Sequence, residues 1–437
     1  MVCALISSPA RAVTITEVTA PETGVKAWLV EDHKLPIVAM RFAFQGGSEQ
    51  DPADKQGLAH LTMNALTEGA GSYDSAAFQR QLADKSITLA FSDGRDELVG
   101  GIKCLSADKA EAFKLLHLAL TKPRFDANDI ERLRGQQLAA MRQQFSDPDW
   151  QARYALFSQI FAGHPYSQRH LGTMQTLKAI TRADIQDFAA HHLALDNVTV
   201  AVAGDMTPAE LATALDKIFA DLPAKAQLTP IADVDEMTDT PSILVRREGT
   251  QTEMLFAMPG PKRDDPDYYA AQIANYILGG GGFSSRLMQD VRDKKGLTYG
   301  ISTELAPAQH DGLIIGESDV DNPKVGEALD TIRDTMRRFH DEGPTVREIA
   351  AAKDYLTGSQ PLSLTSTDKI AATLVYMQRH NLGRDYLDRY SEIIRNVTAQ
   401  DITQVLDRWF SPDKMTIAYV GEPEGMTPTQ IRDMVRQ

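Results

Sequence analysis

Along the first 222 residues, short runs of alternating hydrophobic and polar positions give way repeatedly to longer runs with helical periodicity. The patterning predicts strands over 25–31 and 37–44, then helices over 57–67 and 75–84. Strands are expected again at 87–92 and 97–105, separated by the hairpin signal Asp93-Gly94. Helical stretches follow at 109–121 and 128–145, and a third opens near Trp150 after Asp147-Pro148. A helix at 182–192, a strand at 198–203 and a helix capped by Thr207 close the block.

Residues 222–241 break this rhythm. They hold Pro223, Pro230 and Pro241, sustain no period, and read as a linker. The same order then restarts: strands at 242–247 and 253–258, helices at 266–278 and 284–293, and strands at 298–305 and 313–319. Long helices at 325–341 and 346–360 come next, followed by further helices, a strand at 415–420 and a final helix. The repeat extends to residues, since Asp84-Lys85-Ser86-Ile87-Thr88-Leu89 matches Lys294-Lys295-Gly296-Leu297-Thr298-Tyr299 in type and context. The expectation is an α+β fold of two homologous halves, each a mainly antiparallel sheet covered by long helices. Its boundaries are 13–222 for the first half, 223–241 for the linker and 242–437 for the second half.

Composition narrows the function. A chain of 437 residues exceeds what one hydrophobic core supports. A net charge of −15, with no basic run to offset it, excludes nucleic acid as a partner. No apolar run approaches the roughly 18 residues that span a bilayer, so no membrane span is expected. Cys3 and Cys104 make a poor disulfide pair, and Cys104, in an apolar strand-like stretch, reads as a buried small hydrophobe. Residues 1–12 end in Ala10-Arg11-Ala12, which has the small-x-small form of a signal-peptidase site but lacks a basic start. They read as the remnant of an export signal, pointing to the periplasm, or as a tail on a cytoplasmic protein.

Candidate chemistry begins at Gly57-Leu58-Ala59-His60-Leu61-Thr62-Met63-Asn64. Here the chain resembles the pitrilysin and mitochondrial-processing-peptidase (insulinase) family, whose active members carry an H-x-x-E-H zinc motif. In that motif the histidines at i and i+4 share a helix face and reach one ion, while the glutamate serves as general base. His60 matches the first ligand, but Met63 stands at the base and Asn64 at the second histidine. The family's distant glutamate falls on Ala139 or Ala140. A thioether cannot take a proton, a neutral amide is a poor zinc ligand, and alanine offers nothing. His60 alone cannot hold zinc, which takes at least three protein ligands. No cofactor is therefore expected in this chain.

The resemblance runs from Val25 to Glu422. It includes Phe42-Ala43-Phe44-Gln45-Gly46-Gly47-Ser48, His164-Pro165-Tyr166, Leu171-Gly172-Thr173 and Ala203-Gly204-Asp205. His164, His191 and His192 lack ligand spacing and read as structural or surface residues. The sequons at Asn197 and Asn396 read as coincidental.

In the second half, Gly279-Gly280-Gly281-Gly282-Phe283-Ser284-Ser285-Arg286 precedes Tyr299. The resemblance implies that Arg286 and Tyr299 contact substrate in a cleft facing a zinc ion. Arginine offers a planar fork of donors to peptide carbonyls, and a tyrosine hydroxyl can bond a developing oxyanion. Gly279, Gly280, Gly281 and Gly282 read as a flexible loop beside the cleft, since four glycines are entropically costly elsewhere. No Gly-Lys-Ser/Thr follows, which excludes a phosphate cradle.

Together these features imply a non-catalytic subunit of a heteromeric zinc metallopeptidase. Its partner would be a homologous chain with an intact motif and zinc, and its ligand a peptide. Two alternatives remain: a structural subunit of a larger membrane complex, like the core proteins of respiratory cytochrome bc assemblies, and a peptide-binding module without a peptidase partner.

Overall fold

The computed structural model describes residues 13–235 and 240–436. The export-signal reading at 1–12 and Cys3 lie outside the described residues. The first sheet holds β1 (Thr16–Thr19), β2 (Lys26–Glu31), β3 (Ile37–Gln45), β4 (Thr88–Asp93), β5 (Glu97–Leu105) and β6 (Val198–Gly204), in the order β1-β2-β6-β3-β5-β4. The second holds β7 (Ser242–Arg246), β8 (Gln251–Pro259), β9 (Thr298–Pro307), β10 (Gly312–Asp321), β11 (Thr416–Gly421) and β12 (Gln430–Arg432), in the order β12-β7-β11-β8-β10-β9. Strand for strand, β7-β11-β8-β10-β9 repeats β2-β6-β3-β5-β4. Both sheets are antiparallel apart from one parallel pair at the equivalent place, β2 with β6 and β7 with β11, and the parallel edge strand β12. The chain is thus an α+β protein of two homologous halves, as its pattern predicts.

The burial of β3 explains how the halves are joined. Six of its nine residues are buried, more than a sheet with one wet face allows. Val38, Met40, Phe42 and Phe44 face the core of their own half. The other face, with Trp28, Val30, Ala43, Ala201 and Ala203, packs against Ala371, Leu374, Val375 and Met377 of the helix Thr367–Arg379, which comes from the second half. Alanines at the centre let that helix sit close. The exchange is reciprocal: the helix Pro148–Ile160 of the first half lays Ala152, Ala155 and Leu156 on Ile243, Leu255, Ala257 and Ala418 of the second sheet.

Three expectations are corrected. The final helix is absent among the described residues, because Pro423 and Pro428 interrupt the chain and Thr429 N–H then donates to Ser242 O while Ser242 N–H donates to Thr429 Oγ1, which lines up β12 as an edge strand. The short polar β1 escapes the periodicity because only Val18 in it is buried. The helices expected at 266–278 and 284–293 both widen into π turns, at Tyr276–Gly280 and Met288–Lys294. The segment expected as a linker forms no helix or strand among its described residues, yet Val234 N–H donates to His310 O at 2.9 Å and Gln227 N–H to His191 O at 2.8 Å.

Candidate functional site

His60 stands on the helix Leu58–Ala65, which follows β3. Gly57 precedes it with φ +88°, and the buried Asp51 carboxylate caps the helix by accepting from Gly57 N–H at 2.8 Å and Ala59 N–H at 2.9 Å. Burial pushes Asp51 up to about 7 although those N–H groups favour its charge. The rest of the degenerate motif serves packing. Met63 lies in the core, Asn64 spends its amide on His60 O at 2.8 Å, and Ala139 and Ala140 face solvent. From that same long helix, Ala127–Ser146, it is Gln137 that faces the His60 helix, donating to Gly57 O at 3.1 Å.

His60 is nevertheless not alone. Its Nδ1 lies 2.9 Å from Oδ1 of Asp93, at the end of β4, and Asp93 Oδ2 lies 2.6 Å from Nε2 of His170. The two imidazole rings meet edge to face at 5.1 Å. Burial opposes ionisation of Asp93, but the His170 and His60 contacts outweigh it and hold the carboxyl at about 2. The same contact raises His170 above its ordinary value. Sequence reasoning missed Asp93, taken only as a turn residue, and His170. Neither has ligand spacing with His60; the β4–β5 hairpin and the loop after Pro165–Ser167 bring them there.

His164, His192 and Asn197 have structural roles. His164 Nε2 donates to Ala232 O at 2.9 Å. His192 is buried, stacked on Phe188 at 3.8 Å, and lowered to about 4 by that burial. Asn197 spends its amide on Gln45 O and His192 O, both at 2.9 Å.

In the second half Arg286 and Tyr299 have different surroundings. Arg286 makes a two-pronged ion pair with Glu348 at 2.7 and 2.8 Å, donates to Gly343 O at 3.0 Å, and lies over the Phe339 ring. Glu348 is also the capping-box residue of the helix Val346–Ser359, and Arg286 with the Thr345 bonds holds its carboxyl at about 2. Arg286 therefore pins two helix ends and does not line the cleft that holds Tyr299. That cleft, of about 370 Å³, is lined by Arg292, Asp293, Tyr299, Asp319 and Lys324 among others. Tyr299 is 82% exposed, and Arg292 lies over the exposed Phe283 ring at 4.9 Å. Arg292 is the residue that sequence reasoning passed over; it stands in the π turn Met288–Lys294 that precedes β9, which no sequence signal marked.

Most of the glycine run is closely packed. A Cβ at Gly279 would lie 2.3 Å from Thr303 Oγ1, and one at Gly281 would lie 2.7 Å from Tyr276 O. These glycines let the helix end press onto β9. Only Gly282, at φ +58°, faces open space.

Comparison with known proteins covers most of the chain. Residues 26–174 match the family described as Insulinase (Peptidase family M16), and residues 179–356 match Peptidase M16 inactive domain. The crystal structure of a peptidase M16 inactive domain from Pseudomonas fluorescens superposes with a TM-score of 0.88 at 30% identity, covering 95% of this chain and 99% of that one. A non-peptidase homolog of Helicobacter pylori, YmxG, is 27% identical over 336 residues, 76% of this chain and 77% of that protein. A chain of Complex III2 from Candida albicans shares the fold, with a TM-score of 0.78 at 17% identity over 95% of this chain and 97% of that one.

Proposed function

The chain belongs to peptidase family M16, and we propose that it acts there as the non-catalytic partner of a homologous chain with an intact H-x-x-E-H motif. It binds peptide and completes the partner's zinc-bearing site from its second half. The residues of its own motif do not fit the family's zinc: Met63 is buried, Asn64 is bonded to its own helix, and Ala140 offers no ligand. Hydrolysis is therefore not assigned to this chain alone. The names of the Pseudomonas and Helicobacter relatives, inactive domain and non-peptidase homolog, support the same reading. The Ala10-Arg11-Ala12 segment supports a periplasmic place of action.

The observation that carries the reading is the exposure of Tyr299 at the rim of the Arg292 cleft. A large aromatic side chain that reaches into solvent beside two cationic residues is suited to a ligand or partner. β9, which carries Tyr299, is an edge strand among the described residues, so an extended peptide can pair with it. The Tyr299 hydroxyl then donates to an oxyanion formed in the partner's site, and Arg292 binds a peptide carbonyl or carboxylate.

The test is reconstitution. The isolated chain has no peptidase activity, and turnover appears on mixing with a chain carrying H-x-x-E-H. In the complex, Tyr299→Phe lowers kcat by roughly 10²–10³-fold, the cost of one oxyanion donor. Unchanged kcat in that variant removes the role. A structural subunit of a membrane complex is the second reading, favoured by the likeness to the Candida albicans chain. Copurification with membrane proteins, without any stimulation of a peptidase, would select it.

A further inference from the structure

We propose that His60, Asp93 and His170 bind a divalent transition-metal ion of the zinc or cobalt class, through a ligand set different from H-x-x-E-H. The proposal is independent of the peptide-binding role above, because it rests on the first half alone. One ligand atom from each residue lies within 4.8 Å of the other two. A tetrahedral ion holds its nitrogen and oxygen ligands at about 2.0–2.2 Å, and so about 3.3–3.6 Å from one another. The Asp93 carboxylate lies closer to each ring than that, at 2.9 Å from His60 Nδ1 and 2.6 Å from His170 Nε2, so ligation needs the side chains to part by about 1 Å or less. Two imidazoles and one carboxylate are a donor set that such ions favour over calcium or magnesium.

A second observation points to a cation. The Asp93 side chain is only 2% exposed, and its carboxylate meets both rings, Oδ1 at 2.9 Å from His60 Nδ1 and Oδ2 at 2.6 Å from His170 Nε2. A buried, ionised carboxylate needs a cationic partner, and an ion shared with the two rings would serve as one in place of a protonated imidazole. The three ligands come from a helix, a strand end and a loop. The helix is held by the Asp51 cap, and the loop by Gln137 donating to Leu171 O at 3.1 Å. His170 is about half exposed, so a coordination position remains open to water or to a carboxylate of a bound peptide. The general base of the family is still missing at Met63, so the ion would bind without supplying peptidase activity.

The experiment uses the full chain stripped with chelator and titrated with Co²⁺ alone, then with Zn²⁺ alone. The expected result is one ion per chain, a visible cobalt absorption band of tetrahedral intensity displaced by Zn²⁺, and a metal-dependent rise in Tm. Asp93→Asn and His170→Ala each weaken binding by roughly 100-fold or more, the scale of losses at metal sites. His164→Ala, a control outside the cluster, leaves it unchanged. His170 is exposed enough for its variant to fold, which circular dichroism checks. Absence of binding at millimolar metal, or equal affinity in wild type and His170→Ala, overturns the proposal and leaves the trio as an ion-paired cluster.

Discussion

An arginine's neighbours decide its task. Arg286 and Arg292 stand on one helical segment, yet the first is spent on Glu348 and Gly343 O while the second lies at the cleft. Arg286→Ala is expected to lower stability by about 1.5–3 kcal/mol, the range for hydrogen bonds to a charged group, in urea denaturation, and to leave peptide affinity intact. Glu348 carries a pH signature. Its folded value of about 2 lies below the 4.5 of an unfolded chain. The stabilisation is therefore complete above pH 4.5 and lost as pH falls through 2. The stability gap between wild type and Glu348→Gln should be constant above pH 4.5 and close toward pH 2. His192 behaves likewise in another window, since its folded value of about 4 lies below 6.5. Stability should fall as pH drops from 6.5 through 4, and His192→Leu should flatten that limb of the pH profile.

Elements in this chain answer to partners that are distant in sequence. The glycine run illustrates this, because Gly279, Gly280 and Gly281, which read as part of a loose connection, are set by the approach of Thr303, Asn275 and Tyr276. The helix Thr367–Arg379 is another case. Its apolar stripe of Ala371, Leu374 and Val375 is legible in sequence, but nothing in that stripe says that it covers the other half's sheet. Leu374 is fully buried there. Leu374→Ala should cost about 2–5 kcal/mol, and fluorescence of Trp28, which it packs near, should report the loss together with far-UV circular dichroism.

At the scale of the molecule, the reciprocal exchange of helices makes each half incomplete without the other. A chain truncated after Leu222 would expose Trp28, Val30, Ala43, Ala201 and Ala203 on one sheet face. It is expected to bind a hydrophobic dye and to lack a cooperative thermal transition, whereas the full chain unfolds in one. A cooperative transition in the truncated chain would remove this coupling. The described residues contain no helix long and apolar enough to cross a membrane.

What the sequence determined by itself was periodic or local in origin. The strand and helix order, its duplication, the Asp93-Gly94 hairpin and the missing base and ligand at Met63 and Asn64 all depend on neighbours along the chain or on side-chain identity. Tertiary structure decided what depends on convergence. It brought Asp93 and His170 to His60, assigned Arg286 to a helix end and Arg292 to the Tyr299 cleft, and laid each half's helix on the other's sheet. The physical reason is the same in each case. Side-chain chemistry is carried by the residue, but a site needs several side chains within a few ångströms, and only the folded backbone sets those distances.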